Sequence, residues 1–357
     1  MRSMWSLIRA FVRLQIPVAR KQSTMSSLPA VSVHERSPYT NLFSYNFRRP
    51  KLTATPVASL YRTGYAMPFA TINGIRINYL VQGKGPHLLM FAPGGWRSVI
   101  SRWTAAGGKE AFGQMDGLAT LSRHFTCIAY DRRECGLSGG RVEPLGWDLY
   151  VEEAKGLLDL AGAKQAFILG SCMGASLALA FAVRHPSACK GLLLHWPVGG
   201  YLWMQKGREF FRRHMDFVRA NGLAAAIERA PEGENFWLDP EIGPWGSPAA
   251  IYPEFARELV KQDLERYLDT CTRSRDAIFN DTMPSGASGE ELMRIQVPAL
   301  IMSGADSRHT RSASWALKEL MPQSDLWELW PPQQTGQNTL EQILRFKSRL
   351  ETSAQAA

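Results

Sequence analysis

The sequence has no acidic residue before Glu35, no C-x-x-C pair and no histidine after His309. Its five cysteines, Cys127, Cys135, Cys172, Cys189 and Cys271, are too few and too scattered for a disulfide framework, and without C-x-x-C spacing no zinc site is expected. Reduced thiols in a reducing compartment follow, with no metal and no cofactor. Beyond the N-terminus there is no basic run interleaved with aromatics, so nucleic acid is not an expected partner. A transmembrane segment is not expected either. Ala166 to Val183 is free of charge for 18 residues, the lower limit for a spanning helix. Gly170 and Gly174 divide it into a β-branched and aromatic start and an Ala-rich end, which reads as a buried strand, a sharp turn and a buried helix.

What is present is enough for a full hydrophobic core: 357 residues, 45% hydrophobic and 20% charged. Five of the nine net positive charges sit in an acid-free leader as Arg2, Arg9, Arg13, Arg20 and Lys21. On a helix turning about 100° per residue the four arginines fall within roughly 40° of one another, opposite Met4, Leu7, Ile8, Phe11 and Leu14. Pro17 ends that helix. An amphipathic, Arg-rich, acid-free start has the character of a mitochondrial transit peptide, so residues 1–25 are expected to direct the chain to the matrix. A basic tail or a surface-bound amphipathic helix is the alternative. Residues 26–66 lack a clear period and read as an extension.

From Phe69 the pattern changes. Ala70 to Ile72 and Ile75 to Val81 flank Asn73-Gly74, a pair suited to a tight hairpin. Short apolar runs follow at Leu88–Ala92, Thr126–Tyr130, Ala166–Leu169, Gly191–Leu194, Val297–Met302 and Leu326–Leu329. Helical stretches lie between them, at Leu149–Leu160, Ala175–Arg184, Ser312–Leu320 and Leu340–Leu350. The alternation predicts an α/β fold, a mostly parallel sheet covered by helices on both faces. It breaks over residues 198–290, where Trp203, Phe210, Phe211, Trp237 and Trp245 fall in a basic, helix-patterned stretch. That segment is expected to be a helical cap over the strand ends, dividing the core into residues 67–197 and 291–357.

Gly170-Ser171-Cys172-Met173-Gly174 joins a strand to a helix, the context of a nucleophile elbow. The glycines make room for a strained turn that presents the Cys172 thiol, and the helix N-terminus favours an anion there. Ser171, one residue before the apex, is expected to point away from the pocket. A small buried cysteine is the alternative reading of Cys172. Pro93-Gly94-Gly95 ends another strand and can aim a backbone N–H at an oxyanion; Gly95 and Met173 are the expected donors.

These motifs, with Tyr130 to Ser138, which is similar to a D-x-R-G-x-G-x-S loop, make the chain from about Phe69 to Leu350 resemble the α/β-hydrolase superfamily. The resemblance implies that Asp306, in Gly304-Ala305-Asp306 after the seventh strand, is the catalytic acid. It also implies a catalytic histidine in the loop before the final helix. That loop reads Pro331-Pro332-Gln333-Gln334-Thr335-Gly336-Gln337-Asn338 and has none. His309, on the loop leaving the seventh strand, and His195, at the end of the sixth, remain as candidate bases.

The leading expectation is hydrolysis or acyl transfer on a small ester, lactone or thioester, with Cys172 as nucleophile, Asp306 as acid and His309 as base. Dienelactone hydrolases and polyhydroxyalkanoate synthases resemble it in placing cysteine in a G-x-C-x-G elbow. Two alternatives stand beside it: a degenerate hydrolase scaffold that binds a hydrophobic small molecule, and a cofactor-free lyase or isomerase.

Overall fold

The computed structural model describes residues 68–105, 115–230, 235–280, 284 and 286–356. The expected leader over 1–25 and extension over 26–66 lie outside the described residues. Eight strands form one sheet: β1 (Phe69–Ile72), β2 (Ile75–Gly83), β3 (His87–Phe91), β4 (Thr126–Tyr130), β5 (Ala166–Ser171), β6 (Cys189–His195), β7 (Ala299–Met302) and β8 (Ser324–Trp327). Their order is β1-β2-β4-β3-β5-β6-β7-β8. β2 runs antiparallel to β1 and β4, and every other pairing is parallel. Asn73 (φ 53°) and Gly74 (φ 77°) turn the opening hairpin with the two positive φ values a tight turn needs.

Helices α1 (Gly117–Leu121), α2 (Trp147–Leu160) and α3 (Met173–Arg184) precede β6. After β6 come α4 (Tyr201–Glu228), α5 (Gly246–Ile251), α6 (Pro253–Val260), α7 (Leu264–Ile278) and α8 (Gly289–Arg294), then α9 (Arg311–Leu320) and α10 (Gly336–Ala356). The strand period of two sorts the core into two layers. Leu89, Phe91, Ile168, Leu192 and Ile301 face one layer with Leu157 and Phe181 of α2 and α3. Leu88, Met90, Phe167, Leu193 and Met302 face the other with Ile343 and Phe346 of α10. The uncharged run from Ala166 resolves into β5, a turn and α3. Among the described residues no helix is long and apolar enough to cross a membrane.

The segment between β6 and β7 meets the core through aromatic contacts of α4 and of the stretch that follows it. Trp96, in the loop after β3, meets Phe211 and Phe236 edge-on with ring centroids 5.7 and 5.0 Å apart. It also stacks on Trp237 at 6.2 Å. The break in strand–helix alternation therefore marks an insertion whose aromatic side chains reach down to the strand ends.

Candidate active site

Between the last residue of β5 and the first of α3 stands Cys172 alone, at φ 58° and ψ −124°. A side chain in that region is strained by about 1–3 kcal/mol and persists only where its surroundings dictate it. Here the Cys172 N–H donates to the His195 carbonyl at 3.0 Å and the Cys172 carbonyl accepts from Ala175 N–H at 3.0 Å. The flanking glycines are obligatory. A Cβ on Gly170 would lie 2.1 Å from the Gly174 carbonyl oxygen, and one on Gly174 would lie 2.1 Å from that of Phe91.

Asp306 and His309 share the loop leaving β7. Asp306 Oδ1 accepts from the backbone N–H of Arg308 and His309 at 2.8 and 2.9 Å, which folds the loop back on itself. Its Oδ2 then meets His309 Nδ1 at 2.7 Å. The helix that follows is capped by Thr310, whose side chain accepts from Ala313 N–H, so Asp306 is not a helix cap. His309 Nε2 is buried without a hydrogen bond of ordinary geometry, and the Cys172 sulfur is near enough to act on the charge of the ring. Catalytic hydrogen bonds commonly align only once substrate is bound.

Charge couples the three groups. Burial opposes a charged His309, but the Cys172 sulfur and Asp306 overcome it and raise the imidazole to about 10. Burial pushes the Cys172 thiol up, yet the His309 charge and the N–H groups of Gly94 and Met173 bring it below its ordinary value. Burial also opposes ionisation of Asp306, but His309 and the two loop N–H groups hold that carboxyl well below the carboxylate range. Both shifts run toward a thiolate facing an imidazolium. The other four thiols go the opposite way under burial: Cys127 and Cys189 to about 12, Cys135 to about 11, and Cys271 upward as well.

His195 is placed differently. Its ring is buried, pushed down to about 3 by burial and then by the His309 charge, and lies 2.9 Å from Ser171 Oγ through Nδ1. Ser171, expected to point away from the pocket, instead lines it with His195. The cause is register: β5 extends through Ser171, which pairs with His195 of β6 at the same level of the sheet.

Cys172, Asp306, His309 and Gly95 all line one cavity of about 560 Å³, within the usual range for a small-molecule site. Trp203 and Trp237 from the insertion form part of its wall, as do Trp330 to Pro332 and Gln334 from the loop after β8. Gln334 stands in the loop where the resemblance called for histidine. Its Oε1 accepts from Trp196 Nε1 at 2.8 Å, and its Nε2 donates to the carbonyls of Ser303 and Leu329 at 2.9 and 2.8 Å. Trp196 itself holds a left-handed backbone (φ 46°), stacks on His195 at 5.3 Å and flanks the His309 ring at 5.9 Å. Neither residue was singled out from sequence, where a tryptophan after a strand carries no sign of its backbone strain. Among the described residues no three His, Cys, Asp or Glu side chains gather as a metal site.

The alpha/beta hydrolase family matches residues 89–336, well over half of the chain. The chain belongs to that family. It is similar to a serine hydrolase BPHL of Mus musculus, 28% identical over 159 residues that cover 43% of this chain and 50% of that protein. It is also similar to a 2-hydroxymuconate semialdehyde hydrolase of Pseudomonas putida, 46% identical over 127 residues, 35% of this chain and 41% of that protein. The chain thus spans about half the length, or less, of these curated relatives. Among solved structures, a hydrolase from Pseudomonas aeruginosa PA01 superposes with a TM-score of 0.50 at 19% identity, covering 82% of this chain and all of that one. At that identity the likeness is one of fold.

Proposed function

We propose that this α/β-hydrolase-fold chain is a cysteine-dependent hydrolase or acyltransferase acting on a small ester, lactone or thioester. The observation that carries the reading is the 2.7 Å contact of Asp306 with His309 beside Cys172. It supplies acid, base and nucleophile at one cavity although the loop after β8 has no histidine.

In this reading the Cys172 thiolate attacks the substrate carbonyl carbon, forming a C–S bond and a tetrahedral oxyanion. Met173 N–H and the Gly94-Gly95 turn face that oxyanion. Imidazolium His309 gives its proton to the leaving oxygen or sulfur as the old bond breaks, leaving an acyl-thioester on Cys172. Neutral His309, oriented by Asp306, then takes a proton from water or an acceptor alcohol as it attacks the thioester. The thiolate leaves and the imidazolium is restored. The binding-protein alternative drew its support from the missing histidine, and His309 beside Asp306 takes that support away.

A 4-nitrophenyl ester of a short acid tests the reading. Expected are release of nitrophenol, an acyl adduct on Cys172 by intact-mass measurement, and loss of turnover in Cys172→Ala. In His309→Ala the adduct should accumulate, because the second step has lost its base. Turnover undiminished in Cys172→Ala would overturn the nucleophile assignment.

A further inference from the structure

The turn that brings N–H donors to Cys172 has little stiffness of its own. Gly94 and Gly95 sit at φ 111° and 60°, and a glycine pair moves between such values and others at small cost. Donors that hold a thiolate or an oxyanion are effective only when fixed in place beforehand. One restraint is local: Arg97 N–H donates to the Gly94 carbonyl at 2.9 Å. Another is long, from the Cys135 thiol to the Gly95 carbonyl oxygen at 3.9 Å.

A closer restraint comes from the insertion. A Cβ on Gly95 would lie 3.2, 3.3 and 3.7 Å from Cδ2, Cε3 and Cε2 of Trp237, so the six-membered ring of that indole lies against the Gly95 Cα. The same indole stacks on Trp96, the next residue of the turn, at 6.2 Å and 14°. Two consecutive residues of the donor turn thus rest on one flat side chain. Trp237 is braced in its own right: Phe279 lies nearly parallel to it at 6.4 Å and Phe210 meets it at 4.8 Å. Its backbone N–H donates to Asn235 Oδ1 at 3.1 Å. On the other side of the turn, the Gly94 N–H reaches the Cys172 sulfur.

We infer that Trp237 is a positioning residue: its indole, brought by the insertion, clamps Gly95 and Trp96 and so fixes the Gly94 N–H on the Cys172 sulfur at rest and on the oxyanion during turnover. The role in turnover rests on the acyl-transfer reading; the role at rest does not. Trp237 carries no proton and acts through the backbone of the turn. The insertion therefore does more than wall the cavity, because it sets the reactivity of the nucleophile.

Iodoacetamide alkylation of Cys172, followed by intact mass across pH, reads the clamp without any substrate. Deleting an oxyanion donor costs on the order of 10²- to 10³-fold, so loosening one without deleting it should cost less. In Trp237→Ala the pH profile should move up and the rate at pH 7 fall about tenfold. Trp237→Phe keeps a flat ring and should recover to within about threefold of wild type. Asn235→Ala frees the Trp237 backbone but spares its ring, so it should shift the profile the same way by about threefold; it carries the test if Trp237→Ala does not fold. Phe211→Leu controls for general loosening, since Phe211 meets Trp96 edge-on at 5.7 Å. Its melting temperature should fall with the thiol profile unmoved.

A 4-nitrophenyl ester separates the two roles. In Trp237→Ala kcat should fall about tenfold with KM within about threefold. A shifted alkylation profile, in a protein whose wild type turns over no ester, keeps the clamp and drops the acyl-transfer reading alone. A shifted profile with kcat unchanged overturns the role in turnover. A profile unmoved in Trp237→Ala overturns the inference, even if KM rises, because Trp237 is then only wall. An equal shift in Phe211→Leu, or a Trp237→Phe no better than Trp237→Ala, overturns it as well.

Discussion

The loops that leave β7 and β8 stand side by side at the mouth of the same cavity and do opposite work. The β7 loop is short, exposes Asp306 and carries acid and imidazole three residues apart, locked together by two backbone N–H bonds and one side-chain bond. The β8 loop, where the family resemblance leads one to look for the histidine, is stiffened by Pro331 and Pro332 and pinned by the three hydrogen bonds of Gln334. One loop supplies charge and the other supplies shape. A base must reach the nucleophile in space, and neighbouring loops of an α/β sheet can hand over that duty, because their strands end at the same edge a few ångströms apart.

The comparison breaks most sharply on His309→Ala. If the β7 loop holds the base, this change should lower kcat/KM by about 10²-fold or more. His195→Ala, which removes a ring bonded to Ser171, should change turnover by less than about threefold. The double variant His309→Ala/Gln334→His asks whether the family's usual position can take over. No rescue is expected, since the new ring would displace the bonds that shape its own loop. Recovery to within tenfold of wild type, measured by steady-state kinetics, would show that the β8 loop retains the catalytic geometry.

A smaller effect reads the resting ion pair. With the thiol lowered and the imidazole raised, Cys172 alkylation by iodoacetamide should stay fast as pH falls below the ordinary thiol range. In His309→Ala burial then dominates, the thiol moves up, and the rate at pH 7 should drop about tenfold or more. The sign for stability follows from the same shifts. The raised His309 gives a contribution fully present below its unfolded value, about 6.5, and lost as pH rises through about 10. Denaturant unfolding of wild type and His309→Ala should therefore converge toward pH 10. Equal alkylation rates for both proteins at pH 7 would mean that His309 does not govern the thiol.

Asp306→Asn should leave the loop fold in place, because the asparagine oxygen can still accept the loop N–H bonds, but it removes the charge that helps raise His309 and the acceptor that orients its ring, lowering kcat by about tenfold or more. A rate unchanged within twofold, with the alkylation profile also unmoved, would reduce Asp306 to a loop-folding role.

How far the sequence could be read depended on the range of the interactions. The strands, the Asn73-Gly74 turn and the elbow around Cys172 follow from local pattern and glycine sterics, and they stand within a few residues of expectation. Asp306 was legible only through resemblance. The choice between His309 and His195 was not legible, because both lie at strand ends and only the backbone bonds of Asp306 aim one of them. Ser171 was misjudged because the length of β5, fixed by pairing with His195, decides where its side chain goes. Trp237 and the Gly94-Gly95 turn lie in segments far apart in sequence, and Trp196 carries its strain in a φ angle no composition reveals.

The last and smallest change in turnover should come from Gln334→Ala, and it tests the β8 side of the comparison. The amide has no place in the proton transfers, so kcat/KM should fall by less than about fivefold. Stability should respond more. Removing the side chain strands the Trp196 indole N–H and the Ser303 and Leu329 carbonyls, which all lose a partner in a buried setting. A loss of about 1–3 kcal/mol is expected, or several degrees in melting temperature for a chain this size. Trp196 also loses the bond that holds its ring between His195 and His309, so the two losses should be coupled: Trp196→Phe, which deletes the same N–H, should make a later Gln334→Ala cheaper than it is alone. Calorimetry of the two single variants and the double variant measures this directly. Strict additivity would show that Gln334 holds the β8 loop through Ser303 and Leu329 alone. A collapse of turnover with an unshifted melting temperature would give the loop after β8 a chemical role, and the division of labour between the two loops would have to be abandoned.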